Sequence, residues 1–237
     1  MTGPARLRVM TFNIHGGRPA VGPVDLKAIA DVVRRLKPDL VGLQEVHCYL
    51  PPPYAFRDQP RLLRKLTGME LTFGRALGIG PVAYGNAVLS RMPAVVQSVP
   101  LPSTRQWLGL EPRSLMEARV TPGGQVVHFL NTHLGLTPEQ RVLQARRLAE
   151  RVRRLTGPII LAGDLNAVED SVELRILAES GLMNCASGGQ PTFPAEAPRC
   201  RIDHLLVTRH FEVERCFAEE TTVSDHRPLV ADLVFHD

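Results

Sequence analysis

Residues 159–166 read Ile-Ile-Leu-Ala-Gly-Asp-Leu-Asn, a run of four apolar residues that leads directly into Gly163-Asp164-Leu165-Asn166. A short apolar run of this kind predicts a strand that is covered on both faces. Near the C-terminus, Ser224-Asp225-His226 stands beside a second apolar segment, residues 228–234. Carboxylate, amide and imidazole groups at strand ends can hold a metal, orient a water molecule and carry its proton.

The composition is typical of a globular protein. The chain has 237 residues, of which 44% are hydrophobic and 22% charged, so disordered and fibrous classes are excluded. No apolar run approaches the eighteen or so residues of a transmembrane segment, and no secretory signal is visible at the N-terminus. We therefore expect one domain over residues 1–237, a monomer, and a location in the cytoplasm.

The cysteines and the net charge say less about function. The four cysteines are widely spaced and form no C-x-x-C motif, so they indicate reduced thiols and not a zinc cluster. The formal net charge of +4 favours an anionic partner, which includes nucleic acid.

Hydrophobic periodicity predicts two similar halves that mix strands and helices, separated by short strands typical of an antiparallel sheet. Strands are predicted at 7–14, 39–43, 71–73, 84–89, 95–101, 115–120, 126–131, 159–162, 202–207, 211–216 and 228–234, and helices at 24–36, 58–67, 138–155 and 171–179. This order favours an α/β fold with four layers, α/β/β/α. Two mixed sheets would pack face to face with helices outside, and the strand ends would line one shared edge.

Polar side chains recur at or near the predicted strand ends. They are Asn13, His15, Glu45, Asn86, Asn131, His133, Asp164, Asn166, Asp203, His204, Asp225 and His226. Catalytic groups concentrate on loops that a rigid scaffold positions. Because carboxylates and amides predominate here, these residues predict a hard, oxygen-rich site that suits Mg²⁺ or Mn²⁺.

Seven ordered blocks carry a resemblance to a known family. They are Thr11-Phe12-Asn13, Leu43-Gln44-Glu45-Val46, the block 85–91, Asn131-Thr132-His133-Leu134, Gly163-Asp164-Leu165-Asn166, Arg201-Ile202-Asp203-His204 and Ser224-Asp225-His226. In order, they resemble the endonuclease/exonuclease/phosphatase superfamily with its DNase I-like fold. The segment Asn13-Ile14-His15-Gly16-Gly17, the helix at Asp58-Gln59 and the block Tyr84-Gly85-Asn86 look most like its compact bacterial metal-dependent hydrolase branch. The resemblance implies a two-sheet α/β sandwich and metal-dependent cleavage of a phosphoester bond.

The resemblance also implies roles for individual residues. Glu45 matches the principal metal carboxylate, with Asn13 and Asp225 as further direct or water-mediated ligands of Mg²⁺ or Mn²⁺. Contacts with substrate or its phosphate are expected from His15, Asn86, Arg113 and Asn131.

The catalytic residues implied by the resemblance are His133, Asp164, Asn166, Asp203 and His226. Asp164 and Asn166 match the pair that orients the attacking water. His226 would contact a phosphoryl oxygen or manage a proton, with Asp203 fixing its tautomer. His133 would be the second histidine facing the phosphate.

Structural alternatives exist for several of these residues. Asn13 could be a turn former, residues 164–166 could form an Asx turn, and Asp203 could pair with Arg201 at the surface. For His15 a structural role is the alternative, as a solvated surface position is for Arg113. Each alternative is plausible alone. A purely structural interpretation would require all of them to hold at once across seven ordered blocks, which disfavours it.

The superfamily acts on DNA, abasic sites, poly(A) RNA, phosphoinositides, sphingomyelin and tyrosyl-DNA adducts, and the core motifs do not separate these substrates. Residues 191–194 contain no tryptophan, which disfavours an abasic-site enzyme. The leading hypothesis is a phosphodiesterase dependent on Mg²⁺ or Mn²⁺, with nucleic acid slightly favoured. The alternatives are a phosphatase, a phosphodiesterase acting on phospholipids or small molecules, and a non-catalytic module that binds nucleic acid or a partner.

Overall fold

The computed structural model describes residues 5–103 and 111–235, which form twelve strands and four α-helices. The strands are β1 Ala5–Asn13, β2 Leu40–Cys48, β3 Glu70–Ile79, β4 Val82–Ser90, β5 Val95–Pro100, β6 Ser114–Val120, β7 Val127–His133, β8 Ile159–Asp164, β9 Leu182–Asn184, β10 Asp203–Thr208, β11 Phe211–Ala218 and β12 Leu229–Phe235. The helices are α1 Leu26–Leu36, α2 Gln59–Thr67, α3 Pro138–Arg154 and α4 Val172–Ala178.

The strands form two six-stranded mixed sheets with matching architecture. The first sheet has the order β11-β12-β1-β2-β4-β3 and the second has the order β5-β6-β7-β8-β10-β9. Each sheet contains one parallel pair, β1 with β2 and β7 with β8, and its other pairs are antiparallel. Because α1 connects the first parallel pair and α3 the second, the two halves of the chain repeat one topology.

Three apolar clusters hold the layers together. The cluster between the sheets includes Val9, Phe129 and Leu233. Their chain neighbours point to the opposite faces, so that Met10 packs under α1 and α2 and Leu130 packs under α3 and α4. The four-layer sandwich predicted from the sequence is therefore confirmed.

The helices begin where the sequence supplies a capping side chain. Asp25, Asp58, Thr137 and Ser171 each accept a hydrogen bond from a backbone N–H in the first turn of the helix that follows. Of the described helices, none is long and apolar enough to cross a membrane.

Three strands, β2, β3 and β9, differ from the predicted pattern. β2 continues beyond its predicted end at residue 43 to Cys48. β3 runs over Glu70–Ile79 and is longer than the predicted segment 71–73. It lies at the edge of the first sheet, where one face is solvated and a bulge interrupts the pairing between Arg75 and Leu77, so its apolar signal is weak. The three-residue strand β9 at the edge of the second sheet was not predicted.

Asn131 connects the two sheets in the interior. Its Nδ2 donates to the carbonyl oxygens of Leu43 and Ala87, at 3.0 and 2.9 Å, and its Oδ1 accepts from Gln44 Nε2 at 2.7 Å. A Cβ atom at Gly42 would lie 2.6 Å from Asn131 Oδ1, so glycine is needed for this close approach. The structure thus places Asn131 within the sandwich, bound to the first sheet, and not at a substrate surface as the sequence had led us to expect.

Substitution Asn131→Ala is expected to destabilise the fold by about 2–4 kcal/mol, because it leaves buried carbonyl groups without a donor. Urea denaturation measures this loss. The control is Arg209→Ala, at an exposed position in the turn between β10 and β11, which should change the free energy of unfolding by less than about 0.5 kcal/mol. Equal stability of the two variants would contradict the assigned role of Asn131.

Candidate active site

The predicted site residues meet at the edge of the sandwich where β1, β2, β7 and β8 end, here named the upper edge. In the second sheet, strand pairing places His133, Asp164 and Asp203 side by side, since Asp164 is opposite His133 on β7 and opposite Asp203 on β10. The first sheet supplies Asn13 from the end of β1 and Glu45 from within β2, three residues before that strand ends at Cys48. The register of the strands therefore positions most of the site.

The Asn13 side chain joins the two sheets at this edge. Its Nδ2 donates to Glu45 Oε1 at 3.0 Å and to Asp164 Oδ2 at 2.9 Å, while its Oδ1 accepts from the backbone N–H of His15 at 3.0 Å. Asn13 thus forms the local turn contact considered as the structural alternative and also holds one carboxylate from each sheet.

Glu45 occupies a bulge in β2. The pairing of β2 with β4 shifts between Leu43 and Val46, and Glu45 adopts a left-handed backbone with φ 57°. Such a conformation is costly for a residue with a side chain and is concentrated at functional sites. Burial raises the pKa of Glu45, and the nearby charge of Asp225 raises it further against the hydrogen bond from Asn13.

The segment 224–226 is fixed against β1. The Ser224 hydroxyl donates to the carbonyl oxygen of Asn13 at 2.8 Å and also lies 3.2 Å from Asp225 Oδ1. His15 Nδ1 lies 3.6 Å from the same carboxylate oxygen. No role is predicted for Ser224 from the sequence, although it belongs to the block Ser224-Asp225-His226. These contacts bring Asp225 and His15 to the same side of the site as Glu45.

His226 and Asp203 form a buried pair. His226 Nδ1 lies 2.9 Å from Asp203 Oδ2, and its Nε2 lies 3.7 Å from Asp164 Oδ2. Burial lowers the pKa of His226, but Asp203, helped by the charges of Asp164 and Asp225, outweighs it and raises the pKa to about 10. Because Asp203 accepts at Nδ1, the Nε2–H of the imidazolium is free to donate into the site.

Asp164 lies at the centre of the site and is fully buried. Burial, reinforced by the charge of Asp203, raises the pKa of Asp164 to about 7. Its Oδ1 accepts from the backbone N–H of Asn166 at 2.9 Å, which is the Asx turn considered as a structural alternative. That turn gives Asn166 a φ of 49°. The turn and the functional arrangement are therefore compatible.

His133 faces Asp164 from the other side. Its Nε2 lies 3.4 Å from Asp164 Oδ2, while the nearby Asn166 Nδ2, at 3.1 Å from Nε2, donates to the Leu134 carbonyl oxygen at 3.0 Å. Its Nδ1 is 3.1 Å from Arg113 Nη1, and since arginine can only donate, Nδ1 accepts and the ring proton belongs on Nε2. Burial and the Arg113 charge hold the pKa of His133 well below its usual value, so the ring is a neutral donor.

Arg113 is buried, and not the solvated surface arginine considered as an alternative. It donates to Tyr84 Oη at 2.7 Å and pairs with Glu111 at 3.1 Å. Tyr84 Oη is also 3.4 Å from His133 Nδ1. In the segment Tyr84-Gly85-Asn86, the residue predicted to contact substrate is Asn86. Asn86 is buried and donates to the Ser114 carbonyl oxygen at 3.1 Å. Tyr84 shares its strand face with Asn86 and lies nearer the upper edge, which was the available signal.

Two sets of residues at the upper edge could hold a cation. Asp164, Asp203 and His226 place ligand atoms within 4.8 Å of one another. However, the close contact of His226 with Asp203 already occupies two of these groups. Among the described side chains, Glu45 accepts only a neutral amide donor, from Asn13 at 3.0 Å, and Asp225 lies 3.6 Å from His15, so these carboxylates are less tightly engaged. Burial raises the pKa of Glu45 and the charge of Asp225 raises it further, so this pair of hard oxygen ligands suits a divalent cation better. Asn13 was predicted as a further metal ligand, but its Nδ2 points to Glu45 and Asp164, and its Oδ1 accepts from His15. In this arrangement Asn13 positions Glu45.

The fold and the edge residues define the class of DNase I-like α/β sandwiches. The family model described as the Endonuclease/Exonuclease/phosphatase family matches residues 10–226, and the chain belongs to this family.

Solved structures show the same similarity. An endonuclease/exonuclease/phosphatase from Beutenbergia cavernae DSM 12333 is 32% identical, with a TM-score of 0.83 over 98% of this chain and 72% of that one. Mannosyl-6-phosphatase Bt3783 from Bacteroides thetaiotaomicron VPI-5482 is 22% identical (TM-score 0.77; 97% and 100% covered). Humanized D. rerio TDP2 is 18% identical (TM-score 0.69; 96% and 98% covered). The curated proteins include no match.

Substitution Asp203→Asn is expected to lower the pKa of His226 by several units in the metal-free protein, because it removes the carboxylate charge that opposes burial. NMR titration of ring-labelled histidine measures this shift, with the His210 signals as internal reference. Because the pKa of His226 is raised by folding, its protonation stabilises the fold fully at pH values below the unfolded pKa of about 6.5 and less as pH rises above it. The variant should therefore lose stability relative to wild type at neutral pH, and the difference should vanish as pH rises through about 10. An unchanged His226 titration would contradict the pairing.

Proposed function

We propose that this chain is a phosphodiesterase that requires Mg²⁺ or Mn²⁺ and cleaves its substrate by attack of water on phosphorus. The observation that supports this most is the setting of Asp164, whose Oδ2 lies 2.9 Å from Asn13 Nδ2, 3.4 Å from His133 Nε2 and 3.7 Å from His226 Nε2. A carboxylate surrounded by three donors, with a pKa raised to about 7, is suited to take a proton from water near neutral pH.

The proposed roles follow from the protonation states. Asp164 accepts the proton of the attacking water, and Asn166 helps to orient that water. His226, charged because its pKa is raised to about 10, donates from Nε2 to a phosphoryl oxygen and stabilises the charge that develops there. The neutral His133 donates from its own Nε2, and Arg113 fixes its tautomer. Asp203 is a positioning residue that acts through His226.

Glu45 and Asp225 are proposed to hold the divalent cation, with Asn13 positioning Glu45. When bound, such a cation neutralises phosphate charge and lowers the pKa of a coordinated water. His15 lies beside Asp225, at 3.6 Å, where it can contact substrate.

We infer that nucleic acid is the leading substrate class, supported by the net charge of +4. A phosphatase or a phosphodiesterase for phospholipids or small molecules remains the alternative. Proteins named as a mannosyl-6-phosphatase and as TDP2 share the fold at under 25% identity, so fold alone does not choose between these substrates. A monomeric state and a location in the cytoplasm stay predictions.

The activity is tested with Mn²⁺ and several phosphoesters: bis-p-nitrophenyl phosphate, p-nitrophenyl phosphate, plasmid DNA, single-stranded oligonucleotides and phospholipids. Substitution Asp164→Asn should lower kcat by about 10²–10⁴-fold, the usual contribution of a general base. Substitution His226→Ala should lower kcat by about 10²–10³-fold, the usual contribution of a donor that stabilises developing negative charge. His204→Ala serves as the matched histidine control, since His204 Nε2 contacts the Ala167 carbonyl oxygen at 2.8 Å and does not face Asp164. Turnover no higher than that of an Asp164→Ala/His226→Ala double variant would overturn the proposal.

Substitution Glu45→Gln is expected to weaken Mn²⁺ binding at least tenfold, because it removes the charge of the principal proposed ligand. Isothermal titration calorimetry measures the affinity directly and independently of turnover. Glu179→Gln, at an exposed position after α4, should leave the affinity unchanged. If both variants bind Mn²⁺ as the wild type does, the metal is not held by Glu45.

A further inference from the structure

Arg18 stands beside the proposed site at the end of a rigid turn. Residues His15–Gly17 form a short 3-10 turn, in which Gly17 N–H donates to the Ile14 carbonyl oxygen at 2.7 Å. The Arg18 N–H donates to the His15 carbonyl oxygen at 3.1 Å. Since His15 contacts Asp225, Arg18 emerges next to the carboxylates proposed to hold the metal.

A buried glutamine fixes this turn to β2. Gln59 Nε2 donates to the Gly16 carbonyl oxygen at 2.7 Å, and Gln59 Oε1 accepts from the backbone N–H of His47 at 3.0 Å. A Cβ atom at Gly16 would lie 2.5 Å from the His47 ring and 2.8 Å from Tyr54. The backbone that carries Arg18 is therefore packed tightly against two aromatic side chains.

The Arg18 guanidinium lies over one of those side chains. Its Cζ is 5.5 Å from the centre of the Tyr54 ring, and Tyr54 packs edge-on against His47 with ring centres 4.3 Å apart. His47 in turn lies 5.3 Å from the Tyr84 ring, whose hydroxyl contacts Arg113 and His133. The rings of Tyr54, His47 and Tyr84 thus form a continuous row between Arg18 and His133, the histidine proposed to face the phosphate.

The charge of Arg18 is not neutralised within the described part of the chain. No described carboxylate forms an ion pair with it, whereas Arg113 pairs with Glu111 and Arg8 with Asp232. A half-buried guanidinium held on an aromatic platform keeps its planar set of donors available for a phosphate.

We propose that Arg18, supported by Tyr54, binds a second phosphate group of the substrate, next to the one that is cleaved. This proposal rests on the proposed function and specifies its substrate: a compound with at least two phosphates separated by a short linker. The cleaved phosphate belongs at Asp164, His133 and His226, and Arg18 follows His15, which contacts Asp225, in the chain. Both a nucleic acid chain and a bisphosphorylated small molecule offer this chemistry.

Binding in the presence of Ca²⁺ separates the two sources. Calorimetry compares thymidine 3′,5′-bisphosphate with thymidine 5′-monophosphate, and fructose 1,6-bisphosphate with fructose 6-phosphate. The wild type should prefer at least one bisphosphate by about tenfold or more, the effect of a charge-assisted hydrogen bond. A preference confined to the nucleotide pair identifies nucleic acid, and one confined to the sugar pair identifies a small molecule.

Substitution Arg18→Ala should abolish this preference while the monophosphate affinity stays within about twofold of wild type, and Arg18→Lys should retain part of it. Tyr54→Ala should reduce the preference, while the exposed Arg209→Ala should keep it. Loss of mono- and bisphosphate affinity together, or no loss of preference in Arg18→Ala, would overturn the proposal.

Turnover of bis-p-nitrophenyl phosphate, which has one phosphate, distinguishes failure of the two proposals. Turnover without any bisphosphate preference would leave the hydrolase and remove the second phosphate site. A bisphosphate preference that depends on Arg18, without turnover of any phosphoester, would do the reverse.

Discussion

The hydrogen bonds from the Asn13 amide to Glu45 and Asp164 are the interaction on which the site depends. Two carboxylates from different sheets are held by one neutral donor, at 3.0 and 2.9 Å. Without that donor, the buried charges would repel each other across the interface between the sheets. Because the amide separates them, Glu45 can serve a cation while Asp164 remains beside the histidines.

The same constraint explains the division of the site into two sides. On one side, Glu45, Asp225 and His15 form a more exposed group rich in oxygen atoms. On the other side, Asp164 is buried between two histidines of different charge, because the carboxylates led by Asp203 raise the pKa of His226, whereas burial and the Arg113 charge lower that of His133. One imidazole therefore provides a positive charge and the other a neutral donor, although both are buried. Left-handed backbone at His15, Glu45 and Asn166 is consistent with a site that accepts strain for placement.

The sequence predicts the fold well because strand and helix periodicities agree with the motif order. It locates Asp164, Asp203, Asp225 and His226 at strand ends, and the structure brings these residues together. The depth of a side chain along a strand is harder to predict. Asn131 and His133 point to the same face of β7. Only the packing of the two sheets shows that Asn131 lies inside the sandwich, two residues further from the upper edge than His133. Asn86 was predicted in place of Tyr84 because the sequence does not show which of the two lies nearer the upper edge. The contact between Arg18 and Tyr54 joins two loops and therefore leaves no periodic signal in the sequence. That residues 1–237 form one domain stays a prediction.

The proposed site places the cation at Glu45 and Asp225 and leaves Asp164 to act on water. Anomalous diffraction from crystals soaked in Mn²⁺ tests it most directly. We expect a strong anomalous difference peak about 2.1 Å from a Glu45 carboxylate oxygen, which is the distance usual for a small hard cation. The hydrogen bond between His226 and Asp203 should remain intact. A peak found only among Asp164, Asp203 and His226, with that hydrogen bond broken, would contradict it.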